Sequence, residues 1–398
     1  MSLEIKGGTI YREGAFVANE GLVIENGEGV IDVGNSFLLP GLCDVHVHFR
    51  EPGQEYKETI ETGSRAAARG GFTTVCTMPN LNPPPGDLDA LRVSLACIER
   101  GRASGAAIQI VPYGTITRAR DGRGELSDME ALAPYVCGFS DDGTGVQDRA
   151  NMRAAMELAK SVGRLIVAHC EDDELVRSGR IRESEWRQIE RDVKLADETG
   201  CGYHVCHISC RESVEVIREA KKSGVDVTCE TAPHYLLLDT DTLERDINAA
   251  PAFGGRYKMN PPIKDRADRI ALIEGALDGT VDMIATDHAP HSDAEKRTGF
   301  AKSLNGITGL ECAFPALYTW LVQAGAMPLE RLVEMMADAP RRRFGFADNG
   351  YSVWDFETPY RIDSATFCSK GKWTPFDGWP VYGRNRMTIC DGRIVWKG

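Results

Sequence analysis

The chain has 398 residues, of which 42% are hydrophobic and 26% are charged, and its formal net charge is −13 at pH 7. This acidic surplus argues against nucleic acid or an anionic membrane as a partner, because phosphate binding requires a concentrated basic face. No apolar run approaches the roughly 20 residues that span a bilayer.

The N-terminus and the cysteines indicate the cellular compartment of the protein. The first residues, MSLEIKGGTIYREGAF, lack the basic and apolar regions of a secretion signal. Twelve cysteines are scattered without CxxC pairs, which is typical of reduced thiols. We therefore expect a soluble, cytoplasmic protein.

Short apolar runs alternate with helical patterns through the middle of the chain. The runs that we interpret as strands cover residues 37–48, 72–80, 107–117, 135–142, 164–170, 202–209, 225–235 and 281–290. The stretches between them have helical periodicity, and several end at glycine. Eight such alternations predict a parallel sheet covered by helices, and eight is the number of strands that closes a (β/α)8 barrel.

The two ends of the chain have a different pattern. Residues 1–36 and 350–398 contain short strand-like runs between Gly, Asn and Asp turns, without helical periodicity. We expect both ends to pair in one small domain. The predicted fold class is α/β, a (β/α)8 TIM barrel over residues 42–345 with a small β-sandwich domain built from residues 1–41 and 346–398.

Two histidines lie one residue apart in the first barrel strand, GLCDVHVHFR. Strand alternation places His46 and His48 on one face and Val45 and Val47 on the other. Active sites of such barrels lie at the C-terminal ends of the strands, so we expect the histidine pair there.

Other strand exits carry metal-binding side chains as well. They are Asp141 and Asp142 after strand four, His169 after strand five, His207 after strand six and Asp287 after strand eight. A single buried histidine is usually a core residue, but this convergence predicts a metal site. Four histidines and two carboxylates, Asp287 and one of the two strand-four aspartates, exceed the three or four ligands of one zinc ion, which indicates two ions joined by a carboxylate.

Several short motifs, in order along most of the chain, carry a family resemblance. They are HVHFR (46–50), TMPN (77–80), FSDDG (139–143), AHCEDD (168–173), CHIS (206–209), MNPP (259–262), TDHAPH (286–291) and NGITGLE (305–311). Together they resemble the bacterial-type class I dihydroorotases of the amidohydrolase superfamily. The resemblance implies a binuclear zinc hydrolase of pyrimidine biosynthesis that interconverts N-carbamoyl-L-aspartate and L-dihydroorotate.

The resemblance also implies which residues bind the metals. By similarity, His46 and His48 bind the first zinc, His169 and His207 bind the second, and Asp287 is a further ligand that moves protons. Mn, Co or Fe would accept the same ligands.

The bridging position differs from that of many superfamily members, which use a carboxylated lysine of strand four. This chain has aspartates there, and its nearest downstream lysine is Lys160. The family motif favours Asp142 as the bridge. Strand alternation leaves Asp141 as an alternative, because the chain is turning at this point.

A further group of residues is expected to hold the substrate. Arg50 can grip the carboxylate of dihydroorotate with a forked, charge-assisted contact. By resemblance, Asn80, Asn260, His291 and backbone groups at Asn305 and Gly306 complete the site. The polar stretch 291–306 is expected to close over it.

The remaining histidines are not assigned as ligands. We expect His204 and Cys206, on the strand face opposite His207, to pack against helices. We expect His288 to have a supporting or structural position, and His234 to lie near the exit of strand seven.

Two alternative functions stay open at this point. A hydantoinase or allantoinase would open a related cyclic ureide, although Arg50 and the missing lysine argue against it. An inactive structural partner of aspartate transcarbamoylase is the second, although every ligand position is filled. A homodimer is the commonest assembly, and the resemblance also leaves open an active complex with aspartate transcarbamoylase.

Overall fold

The structure is a computed structural model that describes residues 2–398. Its strands are β1 (Ser2–Lys6), β2 (Thr9–Arg12), β3 (Ala15–Ala18), β4 (Leu22–Glu25), β5 (Gly29–Asp32), β6 (Phe37–Pro40), β7 (Leu42–Val47), β8 (Phe72–Thr77), β9 (Gln109–Pro112), β10 (Gly138–Phe139), β11 (Leu165–Ala168), β12 (Tyr203–Val205), β13 (Val227–Thr231), β14 (Met283–Ile284), β15 (Gly350–Asp355), β16 (Tyr360–Arg361), β17 (Pro380–Val381), β18 (Arg384–Cys390) and β19 (Arg393–Lys397).

The α-helices lie mostly between the barrel strands. They are α1 (Ile60–Arg69), α2 (Leu88–Ser104), α3 (Met129–Leu132), α4 (Arg149–Ser161), α5 (Asp173–Arg177), α6 (Ile181–Thr199), α7 (Arg211–Lys222), α8 (Pro233–Leu237), α9 (Thr240–Ala249), α10 (Arg266–Asp278), α11 (Asp293–Lys296), α12 (Ala313–Leu317), α13 (Leu329–Val333) and α14 (Ala339–Phe344). Among residues 2–398, no helix has the length and apolar character that crossing a membrane requires.

The central strands close into a barrel. Strands β7 to β9 pair in parallel in chain order, and so do β10 to β14. A bridge between Gly114 and Phe139 joins the two groups on one side, and a bridge between Val47 and His288 joins them on the other. Within the described residues, eight parallel strands therefore form a closed ring, which confirms the predicted (β/α)8 TIM barrel.

Several helices begin at a side chain that accepts a backbone hydrogen bond. Asp148 accepts from the third residue of α4, and Asp265 accepts from Ala267 and Asp268 at the start of α10. Helix α10 ends at Gly279, whose φ of +85° is the left-handed conformation that glycine adopts without strain. These local signals fix the helices beside the strands that they cover.

Side chains of the first barrel strand do not alternate as predicted. Val45 packs with residues of other strands in the cluster that fills the barrel interior, whereas Val47 belongs to the layer between strands and helices. The prediction that these two valines share a face is wrong for Val45. The pairing of β7 with β8 shifts register between Asp44 and Val47, and this irregularity rotates the strand just before the histidines.

Both ends of the chain build one sandwich beside the barrel. One sheet has the order β19-β18-β15-β6-β2-β3 and the other β4-β1-β5. Apolar side chains from both sheets, among them Ile5, Leu38 and Ile389, pack between them. The predicted β-sandwich from the two ends is confirmed. Its exact boundaries, residues 1–41 and 346–398, stay a prediction.

Replacement of Ile389 by alanine tests the sandwich core. Ile389 is fully buried, and its strand neighbour Ile394 is 44% exposed. Ile389→Ala should lower the free energy of unfolding by about 2–5 kcal/mol, because it leaves a cavity in the core. The same change at Ile394 should lower it by less than about 1 kcal/mol. Urea denaturation measures both, and equal losses would contradict the packing.

Candidate metal centre

The exits of five barrel strands bring six ionisable side chains together at one end of the barrel. They are His46 in β7, His48 directly after β7, Asp142 after β10, His169 after β11, His207 after β12 and Asp287 after β14. All six are at least nine-tenths buried. The strand ends that the sequence analysis identified therefore meet in one cluster.

Asp142 lies at the centre of this cluster. Its Oδ1 is 3.4 Å from His46 Nε2, 3.5 Å from His207 Nε2 and 3.6 Å from His169 Nδ1. Its Oδ2 is 3.6 Å from His48 Nε2. One carboxylate thus faces all four imidazoles.

Asp287 lies beside the first histidine pair. Its Oδ1 is 3.1 Å from His48 Nε2 and 3.6 Å from His46 Nε2. Its backbone has a φ of +47°, which is uncommon for a residue other than glycine and turns the chain sharply after β14. This turn places the carboxylate above the pair.

Asp141 has a different role from its neighbour. Its carboxylate accepts backbone hydrogen bonds from Ile116 at 2.8 Å, Thr117 at 3.0 Å and Gly122 at 3.2 Å. The Thr117 hydroxyl donates to it as well. Asp141 therefore anchors the loop after β9, and its oxygens are engaged there.

The donor set fits divalent metal ions. His46 Nε2 and Asp142 Oδ1, which lie 3.4 Å apart within the cluster, are buried and have no hydrogen-bond partner. Buried polar atoms in proteins are nearly always partnered. Imidazole and carboxylate are the ligands that divalent transition metals share, so these atoms are suited to bind such ions.

The buried charges of the cluster shift the pKa values of its side chains in both directions: against the effect of burial, Glu230 and Asp142 raise the pKa of His46, and Asp142 raises that of His207. Burial alone would raise the pKa of Asp287, but the hydrogen bond with His48 and the nearby charge of His46 lower it below its usual value. The pKa of Asp142 is also lowered, against the effect of burial, chiefly by His46 and His207. Burial lowers the pKa of His48 to about 4, which favours the neutral imidazole.

Glu230, on β13, is a functional residue that the sequence analysis missed. His46 Nδ1 donates to Glu230 Oε1 at 2.6 Å, and His204 Nε2 donates to Glu230 Oε2 at 3.1 Å. The first bond fixes the tautomer of His46 and turns its Nε2 toward the cluster. The sequence signal that could have identified Glu230 is an acidic residue within a strand of otherwise uncharged residues.

The expectation that His204 and Cys206 pack against helices is wrong for Cys206 and holds only in part for His204, which contacts Phe344 of helix α14. Cys206 packs in the barrel interior, and His204 binds Glu230 and Thr228 there, although its ring also contacts Phe344. Strand β12 ends at Val205, so strict alternation does not continue to His207, whose φ is +31°. Both residues therefore lie in the barrel interior, on the side of the cluster that faces away from the strand exits.

The remaining histidines have structural contacts. His288 Nε2 lies 3.3 Å from Glu58 Oε2, and its Nδ1 accepts from the Gly309 backbone at 3.2 Å. His234 lies in the short helix α8 after β13, where it packs edge-on against Tyr235.

A cavity of about 140 Å³ opens beside the cluster. Besides cluster residues it is lined by Arg50, Asn80, Gly143, Asn260, Ala289, Asn305 and Gly306. The Arg50 Nε donates to the Pro290 carbonyl at 3.3 Å, which leaves the outer guanidinium nitrogens for a ligand. His291 lies behind this wall and donates to the Asn305 carbonyl at 2.7 Å.

Two of the three cavity asparagines, Asn80 and Asn260, donate side-chain hydrogen bonds to residues at the cavity edge. Asn80 Nδ2 donates to the Asp142 carbonyl at 2.7 Å, while its buried Oδ1 has no partner. Asn260 Nδ2 donates to Glu171 Oε2 at 2.7 Å. Each asparagine is thus held at the cavity edge by a neighbour of the cluster.

Comparison with solved structures reproduces this architecture. The L-hydantoinase (dihydropyrimidinase) of Arthrobacter aurescens superposes with a TM-score of 0.88 at 25% identity, over 99% of this chain and 96% of that one. A dihydropyrimidinase from Brevibacillus agri NCHU1002 superposes with a TM-score of 0.82 at 20% identity, over 100% and 95% of the chains.

Sequence comparison is more specific. Residues 35–213 match the family model described as Dihydro-orotase-like. The dihydroorotase of Geobacillus thermodenitrificans (strain NG80-2) is 46% identical over 96% of this chain and 92% of its own length. The dihydroorotase of Bacillus caldolyticus is 46% identical over 94% and 90%. With the motifs and the cluster in place, these similarities show that the chain belongs to the dihydroorotase family.

Proposed function

We propose that the chain catalyses the reversible cyclisation of N-carbamoyl-L-aspartate to L-dihydroorotate. One observation carries the proposal: Arg50 and five of the six cluster residues, all except His46, line the same small polar cavity. A cyclic amide with a ring carboxylate needs both features, a cation for the carboxylate and a hydrolytic centre for the amide.

The cluster is proposed to hold two divalent ions, with zinc as the expected metal. His46, His48 and Asp287 would hold one ion, His169 and His207 the other, and Asp142 would lie between them. When bound, such ions supply Lewis-acid polarisation of a carbonyl oxygen and lower the pKa of a water molecule. The short distances from Asp142 to all four imidazoles support this assignment.

The cavity residues are proposed to bind and orient the substrate. Arg50 is buried, and the pKa of its guanidinium is lowered by burial, while the carboxylates of Asp287 and Asp142 act in the opposite direction. A substrate carboxylate would pair with this desolvated cation. Asn80, Asn260 and the backbone at Asn305 and Gly306 would contact the ring, with His291 holding Asn305 from behind.

Asp287 is proposed to move the proton. Its carboxylate is ionised at neutral pH and lies 3.1 Å from His48 Nε2 beside the proposed metal site, where it would accept a proton from the attacking water. In hydrolysis it would then pass this proton to the leaving ring nitrogen. In ring closure, the same oxygen would remove a proton from the attacking ureido nitrogen.

Three further features stay proposals. They are a homodimer, a complex with aspartate transcarbamoylase and a location in the cytoplasm. Closure of residues 291–306 over the substrate is also a proposal.

Asp142→Ala should remove the bridging ligand. We expect loss of bound metal and a fall in kcat/KM for dihydroorotate of about 1000-fold, since several kcal/mol of transition-state stabilisation depend on the ions. Metal analysis and a hydrolysis assay measure the two effects. Asp141→Asn is the matched control: it should lower stability and keep the metal content. Full metal and full activity in Asp142→Ala would contradict the bridge.

Arg50→Gln should weaken recognition of the substrate carboxylate. A charge-assisted hydrogen bond contributes about 1.5–3 kcal/mol, so kcat/KM for dihydroorotate should fall about 10- to 100-fold. Inhibition by dihydrouracil, the same ring without the carboxylate, should hardly change. Arg118→Gln at an exposed arginine serves as control. If Arg50→Gln weakened the binding of dihydroorotate and of dihydrouracil equally, Arg50 would not be the group that recognises the carboxylate.

Glu230→Gln should weaken the hydrogen bond that orients the His46 ring. Partners that orient a metal-binding histidine typically change metal affinity about 10- to 100-fold, and we expect a decrease in this range in a competitive chelator titration. Glu311→Gln is the control, because Glu311 is a buried carboxylate that accepts from Cys368 and Ser369 near the end domain. A similar decrease in both variants would point to general destabilisation.

A further inference from the structure

A lysine is completely buried behind the cavity wall. Lys296, at the end of α11, is 0% exposed. Its Nζ donates to three backbone carbonyls, those of Lys258 at 3.1 Å, Leu304 at 2.8 Å and Gly306 at 2.7 Å. A lysine is almost never fully buried without a counter-charge, and here the neighbouring carboxylate of Glu295 pairs with Lys57 instead.

The three carbonyls belong to two separate walls of the cavity. Lys258 precedes Asn260 by two residues, and Leu304 and Gly306 flank Asn305. The Gly306 N–H also donates to the Lys258 carbonyl at 3.0 Å. One ammonium group therefore ties the segment of Asn260 to the segment of Asn305.

The surroundings leave these segments little freedom. The Lys296 carbonyl accepts from the Ser303 hydroxyl at 2.8 Å. Gly306 has a φ of +136°, and a Cβ there would come within 2.4 Å of the Ala289 carbonyl oxygen. Correct placement of this backbone thus depends on close contacts that Lys296 completes.

The protonation state of Lys296 determines how many of these carbonyls it can bind. Burial and the nearby Lys258 ammonium lower the pKa of Lys296 to about 7, while the Glu295 carboxylate acts in the opposite direction. A protonated amine has three N–H donors for three carbonyls, and a neutral one has two. The protonated form matches the three acceptors.

We propose that Lys296 is a positioning residue for substrate binding, which fixes the backbone at Asn305 and Gly306 against the segment that carries Asn260. The inference rests on the proposed function, because these residues are the proposed ring contacts. Lys296 itself lies behind the wall and acts through the groups that it holds. Its loss should therefore affect substrate affinity more than the chemical step.

The test compares Lys296→Met with Lys302→Met, a change at an exposed lysine of the same segment. Below pH 7, Lys296→Met should raise KM for dihydroorotate about tenfold, with kcat nearly unchanged and full metal content. Hydrogen exchange of residues 291–306, followed by mass spectrometry without substrate, should become faster in this variant. The Lys302 variant should match the wild type in both measurements.

Lys296→Gln keeps two N–H donors, so its KM and its hydrogen exchange should lie between those of the wild type and of Lys296→Met. This variant tests the proposal if the methionine variant does not fold. A fall in kcat with unchanged KM, or unchanged exchange of residues 291–306, would overturn the proposal. If the wild type does not hydrolyse dihydroorotate, the proposed function fails. The exchange measurement still tests the anchor in that case, because it needs no substrate.

Discussion

The site depends on a balance between buried charges at one rim of the barrel, where carboxylates and imidazoles offset each other's cost of removal from water. Removing a carboxylate from water is strongly unfavourable unless charges or hydrogen bonds offset it. Asp142 and Asp287 are both buried, and imidazole nitrogens surround each of them within 3.6 Å. His46 Nε2 and Asp142 Oδ1 still lack hydrogen-bond partners, and cations bound in the cluster would complete this balance.

A second layer of buried groups holds the cluster and the cavity in place. Glu230 orients His46 from inside the barrel, Asp141 fixes the loop before the bridge position, and Lys296 joins two segments of the cavity wall. These groups lie on or next to regular strands and short helices. Such support is what allows a site made from distant chain segments to keep a defined geometry.

The barrel does not by itself select a substrate, since one fold serves many reactions. Selection is assigned to the cavity, where a guanidinium lies beside the hydrolytic cluster. Arg50 reaches this place because it follows the histidine pair by two residues and turns with a φ of +57°. The proposed metal ligands His46 and His48 and the proposed substrate-binding Arg50 thus lie at the end of a single strand.

The sequence by itself determined the barrel, the sandwich from both ends and the strand exits that carry ionisable residues. These follow from local periodicity and from the rule that parallel strands of a barrel end on one side. It did not determine that Asp142 rather than Asp141 faces the imidazoles, that Val45 and Cys206 point inward, or that Glu230 and Lys296 support the site. Tertiary structure decided these points, because a register shift in β7 and the turns after β10 and β12 set side-chain directions, and contacts between distant segments have no local signal.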